Sequence, residues 1–337
     1  MPNPVSAVGS FKNLMNIVKE VDFDDIRDRA EQAPRILCIA ATEDAARAAG
    51  ESMFGPQIDR FVEFRAATDL VELDPARYDI VLVTDSTQQD VANRVRRLAA
   101  GYRTSNVFSR SANTPELDEQ LRLRIASALP DLAPSLGRWF EPFRPVAVKV
   151  IVDETSRANA QFAVVSNLPA VVPVLGSMFA AGADLIVLTK NQIMMAYKLA
   201  AASNRDLADH TGIIRELVPV VGAGFLWRSV AREAASFIPF AAGTIPKAVI
   251  AFAGTYTIGR AVDYYYRFGK KSSSDQMKLL WEEALALAAR IPLPGRDQNE
   301  LDRDAIEVTG EVRDSSSEVT GPIVPTEQTQ KASSARE

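Results

Sequence analysis

Apolar and polar positions along the chain follow two regimes. Up to about residue 129, short apolar runs of strand length alternate with stretches of helix length; beyond Pro130 only helical spacing recurs. Ile36-Leu37-Cys38-Ile39-Ala40, just after Pro34, is a continuous apolar run that suits a strand buried on both faces. Thr42 then stands where it can cap a helix running through Ala45, Ala46, Ala48 and Ala49 to about Phe54. Phe61-Val62-Glu63-Phe64 predicts a second strand, at an edge. Tyr78–Val83 predicts a third and Asn106-Val107-Phe108 a fourth. Helices are expected over Thr87–Ala100, closed by Gly101, and over Pro115–Leu129. This alternation implies an α/β unit, a small and mostly parallel sheet with helices on both faces.

The second half reads as all-α. Phe143-Arg144-Pro145 opens a long helix through Val150, Ile151, Asn159 and Phe162 to about Asn167, with proline acceptable in its first turn. Pro169 and Pro173 interrupt the chain before the apolar run Val174–Leu188. Helical spacing returns near Asn191–Ser203, Leu207–Val218, Gly224–Phe237, Ala248–Phe268 behind Pro246, and Gln276–Arg290. Ahead of the first strand, Phe11, Leu14, Ile17 and Val18 mark an amphipathic segment after a short mobile start.

Composition narrows the function classes. The net charge of -5 lies in the polar C-terminal stretch: Arg296–Glu337 carries ten acidic and five basic residues, which leaves 33 of each sign in the body. A neutral body lacks the basic face that a nucleic-acid partner requires. From about Pro292 the chain is polar and poor in aromatics, as expected of a disordered tail. Within it Glu307-Val308-Thr309-Gly310 recurs as Glu318-Val319-Thr320-Gly321, either drift in a low-complexity segment or a duplicated docking motif. Cys38 is the sole cysteine and His210 the sole histidine, so neither a disulfide nor a thiolate or His-rich metal centre is expected. Met1–Lys19 lacks the basic start and apolar run of a signal peptide, which predicts a protein facing the cytoplasm.

The first strand-to-helix turn is where a phosphate loop would sit, and it reads Ala41-Thr42-Glu43-Asp44-Ala45-Ala46-Arg47-Ala48. Such a loop needs glycines for close backbone approach and a lysine for charge. Here the glycine positions are alanine, the lysine position is Arg47 and the hydroxyl position Ala48. A second register, ending Gly50-Glu51-Ser52, puts a glutamate where the lysine belongs. Glu43 and Asp44 suit the positive end of the helix dipole and would repel an incoming phosphate. Thr84-Asp85 after the third strand reads as a strand end rather than a Walker-type aspartate, and Ser109–Thr114 carries no base-recognition run. No GxSxG, HExxH or CxxC motif occurs. His210 lies among Asp206, Asp209 and Thr211 without a nucleophile in sight, and Cys38 sits in apolar strand sequence. No catalytic, cofactor-binding or metal-ligating residue is assigned, and the chain is not expected to be an enzyme.

Residues from about Phe143 to Gly269 resemble a bacterial helical domain, the domain of unknown function numbered 697. The likeness rests on Phe143-Arg144-Pro145, Asn159-Ala160 leading to Leu168-Pro169, Ala183–Thr189, Gln192 with Met194–Leu199, and the Pro219–Gly224 turn. Further on it rests on Phe237-Ile238-Pro239 and Ala253-Gly254-Thr255-Tyr256 with Ile258–Ala261. The resemblance implies attachment behind an Era-like GTPase domain or presence in an inner-membrane protein, so the preceding α/β region looks like a GTPase domain that has lost its nucleotide motifs. The division it suggests is an N-terminal extension at 1–33, a degenerate GTPase-like α/β domain at 34–136, an apolar helical domain at 143–290 and a disordered tail at 291–337.

Two stretches approach the roughly 20 apolar residues that cross a bilayer. These are 168–188, interrupted by Pro173 and Asp184, and 234–261, with Lys247 near its middle. Both are rich in Gly, Ala and Thr, as in close-packed membrane helices. Tyr264-Tyr265-Tyr266-Arg267 and Lys270-Lys271 have the composition of an interfacial aromatic belt with a basic flank. The expectation is a non-catalytic adaptor or regulatory protein at the cytoplasmic face of the inner membrane, its α/β part binding a protein partner, which the resemblance suggests is a GTPase. The alternatives are a cytoplasmic regulatory module whose α/β part takes a small ligand and, last, an unorthodox NTPase.

Overall fold

A computed structural model describes residues 18–56, 58–69, 74–84, 106–110, 114–165, 183–217 and 244–290, together with 93, 95, 97 and 220. Strands β1 (Ile36–Ala40), β2 (Val62–Ala66), β3 (Ile80–Thr84) and β4 (Val107–Arg110) form one all-parallel sheet in the order β2-β1-β3-β4. The register sets Cys38 between Phe64 and Leu82. Every residue of β1 and of β3 is buried, whereas β2 at the edge keeps only Val62 buried. Period-2 geometry sends Ile36, Cys38 and Ala40 to one face and Leu37 and Ile39 to the other, where Val81, Val83 and Val95 meet them.

Helix α1 (Asp24–Glu31) precedes the sheet, α2 (Glu43–Phe54) follows β1, and α3 (Pro115–Ala128) follows β4. The Thr42 hydroxyl accepts from the Ala45 amide, so α2 starts where the sequence predicts. Arg122 of α3 donates from Nε to the Met53 carbonyl at 2.9 Å and from Nη2 to that of Ser52 at 2.8 Å, tying the end of α2 to α3. Gly50 lets α2 lie close on the sheet. A Cβ there would stand 2.8 Å from the Phe64 ring and 3.3 Å from the Cys38 sulfur.

Every regular element described in the second half is helical. Helix α4 (Ala133–Trp139) leads to the long α5 (Arg144–Val165), then α6 (Ala183–Ala202), a helical stretch at 210–217, α7 (Thr244–Phe268) and α8 (Ser274–Ala288). Helix α6 begins eight residues ahead of the expected Asn191. Its first turns come from the end of the apolar run, whose uniform apolarity hides the helical period. The helix expected at Leu207–Val218 opens instead at 210, because the Asp209 carboxylate accepts from the Gly212 amide at 2.7 Å and caps it there. Helix α8 opens with a reciprocal Ser273/Gln276 capping box.

One apolar core runs from Val18 through the sheet to Ala288. Phe54 of α2 stacks on Phe143 at 5.2 Å and meets Phe140 edge-on at 5.2 Å, while Phe61 packs on Trp139 at 5.0 Å. The N-terminal extension joins the same core. Phe23 lies 4.7 Å from the Tyr197 ring of α6, and the Trp139 indole donates to the Ala30 carbonyl at 3.1 Å. Several expectations fall outside the described residues: Phe11, Leu14 and Ile17, most of the helix at 87–100, the helix at 224–237, and the tail at 291–337 with its repeated tetrapeptide.

Candidate functional site

In an open parallel sheet, ligands meet the carboxyl ends of the strands where the connections diverge, here between β1 and β3. The described residues at that crevice are a helix cap and acidic groups. Thr42 caps α2, Glu43 and Asp44 are exposed in its first turn, and the Thr84 hydroxyl donates to the Ile39 carbonyl at 3.2 Å across the two strands. Arg47 is turned toward the sheet edge. It pairs with Asp59, lies 4.0 Å from Glu43 and covers the Phe64 ring at 4.5 Å. Asp85 lies outside the described residues. The helix N-terminus therefore presents carboxylates where a phosphate would have to sit.

Beside the crevice lies a charge pair that the sequence reading missed. Arg110 ends β4 and donates through Nε and Nη2 to the two carboxylate oxygens of Asp118 at 2.7 and 2.6 Å. Ser52 adds a third bond to the carboxylate at 2.8 Å. Burial alone would raise the Asp118 carboxyl, but the bonds from Arg110 and Ser52 outweigh it and hold the group below the ordinary aspartate value. A basic residue closing a strand, with an acid in the first turn of the next helix, was the available signal. Cys38 is buried, and burial pushes its thiol up to about 12, as in an inert core residue. His210 is exposed and stacks on Phe23 at 5.2 Å.

The helical half holds a polar layer inside its core. Asn159 donates to the Thr255 hydroxyl at 2.8 Å and accepts from Asn191 at 2.7 Å, and Gln192 donates to the same hydroxyl at 3.1 Å. Asn159 and Thr255 are fully buried, and the Gln192 carbonyl oxygen has no partner among the described residues. The layer fixes directions as well as register. Asn159 meets Thr255 and Val152 meets Gly259, so α5 and α7 run antiparallel; α6 follows α7, with Gln192 at Thr255 and Met195 at Gly259. Val165, Ala183 and Thr244 therefore lie at one end of the three helices.

That end is apolar. Val165 is 58% exposed, Ile186 44% and Val187 36%. The stretches 166–182 and 221–243, which join it, carry only Arg228, Arg232 and Glu233 as charges. Of the two candidate membrane segments, 168–182 and 234–243 lie outside the described residues, and nothing is described of the Asp184 and Lys247 side chains. From Ala248 to Ala261, the second segment is packed almost wholly as core against α5 and α8. Among the described residues no helix is long and apolar enough to cross a membrane. The three tyrosines after it face protein groups. The Tyr265 hydroxyl donates to Glu216 at 2.9 Å, Tyr264 accepts from Gln276 at 3.2 Å, and Tyr266 is half-buried under Arg205. Among the described residues no cluster of His, Cys, Asp and Glu is placed to hold a metal. Set beside known proteins, the chain matches no protein-family model, no curated protein and no solved structure.

Proposed function

We propose that the protein is a non-catalytic adaptor at the cytoplasmic face of the inner membrane. Its helical half meets lipid, and its α/β part holds a protein partner, a GTPase on the reading that the resemblance of residues 143–269 suggests. The observation that carries the proposal is the apolar end of the α5–α6–α7 bundle. Val165, Ile186 and Val187 are exposed there together, beside long chain stretches almost free of charge. Fully burying one such side chain is worth about 1.5–3 kcal/mol, so the half-exposed trio supplies roughly 3 kcal/mol on entering lipid. That corresponds to about a hundredfold in partitioning. The exposed carboxylates of Glu43 and Asp44 at the start of α2 favour a protein partner over a nucleotide for the α/β part.

The test is flotation of the full chain with phosphatidylethanolamine/phosphatidylglycerol vesicles, beside a Val165→Glu, Ile186→Glu, Val187→Glu variant whose thermal melt is checked. Wild type should float and the folded variant should stay behind. A wild-type chain that remains unbound, or a folded variant that floats equally, refutes the assignment and favours the cytoplasmic regulatory reading.

A further inference from the structure

Lys190 of α6 stands close behind the apolar end. It follows Ile186 by four residues and Val187 by three, so the three share one side of the helix, with Lys190 about a turn behind the exposed pair. The N-terminus of α6 lies at the apolar end, and the Cα–Cβ bonds of a helix tilt toward its N-terminus, so the Lys190 stem leans that way. A lysine so placed can lay its carbon stem along apolar surface and hold its charged head at the level of lipid headgroups.

The ammonium is engaged by the N-terminal segment. Glu20, just ahead of α1, pairs with Lys190 Nζ at 2.8 Å. On either side of Glu20, Val18 and Phe23 are buried, and Phe23 lies against Tyr197, two turns further along α6. The segment therefore follows the helix, anchored on both sides of the pair. The pair itself is open to water, with side-chain exposure of 63% at Glu20 and 34% at Lys190. An exposed ion pair adds little to stability, because both charges are already solvated and salt screens them. A lysine beside an anionic leaflet gains a comparable amount, about fivefold in partitioning, or ~1 kcal/mol. Glu20 and an anionic headgroup are thus evenly matched for one ammonium.

We infer that Lys190 is the headgroup contact of the apolar end and that Glu20 competes with anionic lipid for it. The inference rests on the reading of that end as the lipid-facing surface. While Glu20 holds Lys190, the contact is nearly indifferent to lipid charge. On an anionic surface the headgroup takes the ammonium and the tie to the N-terminal segment is released. Such coupling is reciprocal, so loosening the Glu20 tie strengthens binding to anionic lipid and leaves binding to neutral lipid as it was.

The test is flotation of the full chain with phosphatidylcholine vesicles, with and without phosphatidylglycerol, the melt of each variant being checked. Glu20→Gln should bind the phosphatidylglycerol vesicles up to about fivefold more tightly than wild type. On pure phosphatidylcholine, or in high salt, it should match wild type. Adding Lys190→Gln to Glu20→Gln should abolish the gain. Glu31→Gln removes the same charge from an exposed position at the far end of α1, and should gain less. A wild-type chain that binds neither vesicle overturns the lipid-facing reading itself. If wild type binds, the competition alone is overturned by any of four results: no gain for Glu20→Gln, an equal gain on phosphatidylcholine, a gain that survives Lys190→Gln, or an equal gain for Glu31→Gln.

Discussion

Asp118→Ala is the substitution whose cost follows most directly from the geometry. Side-chain exposure at Arg110 and Asp118 is 8% and 4%, and the two join through both nitrogens of one guanidinium edge and both oxygens of one carboxylate. Removing the carboxylate takes two charge-assisted bonds from Arg110 in a nearly dry site, where the neutral Ser52 hydroxyl at 3.1 Å does not replace the lost charge. Breaking a buried pair from one side typically costs about 3–5 kcal/mol, because the remaining charge stays desolvated. At about 2 °C per kcal/mol, the low end for mid-sized domains, the melt should fall by roughly 6–10 °C. Urea unfolding at neutral pH followed by far-ultraviolet circular dichroism measures the difference directly. Replacing both partners, Arg110→Met with Asp118→Leu, should recover most of the loss and return within about 1 kcal/mol of wild type. A loss below about 1 kcal/mol for Asp118→Ala would mean that water reaches the pair, and the burial argument would be wrong.

The same carboxylate gives a pH signature. Its folded value is depressed, so its contribution is complete above the unfolded value of about 3.9 and disappears as pH falls through the folded value. Wild type should therefore lose more stability on acidification below about pH 5 than Asp118→Asn does, and parallel melting curves would contradict this. Gly259→Ala would put a methyl 2.6 Å from Val152 Cγ2 and 3.1 Å from the Met195 sulfur, and should cost about 1–3 kcal/mol in a urea titration. Asn159→Ala strips the acceptor from Asn191 and one donor from Thr255. A loss of about 1–3 kcal/mol is expected, against a smaller one for the surface control Lys149→Ala.

The strands were legible because an interior parallel strand is apolar on both faces, and Ile36–Ala40 and Ile80–Thr84 are unbroken apolar runs apart from the closing Thr84. The edge position of β2 was legible from the charged Glu63 within it. Thr42 announced α2 because capping is a local bond. What could not be read is what depends on partners distant in sequence. Asn159 and Thr255 are 96 positions apart, and Arg122 caps Met53 across 69. The Arg110–Asp118 pair spans only eight positions, yet its burial depends on Ser52 and the packing of α2. The apolar stretch at 248–261 illustrates the ambiguity of composition alone: a helix at the centre of a protein and one in lipid are both apolar.

The aromatic joint at Phe54, Phe140 and Phe143 sits at the start of α5, and Val165 closes the same helix. Its 22 residues span about 33 Å at 1.5 Å each. On the proposed adaptor reading, with lipid at one end and the sheet joined at the other, α5 would set a stand-off height. The Debye length at physiological ionic strength is about 8 Å, so a partner captured at the sheet would sit several screening lengths above anionic headgroups. Capture at that height would be insensitive to membrane surface charge, and lipid composition would control where the protein resides without altering which partner it holds.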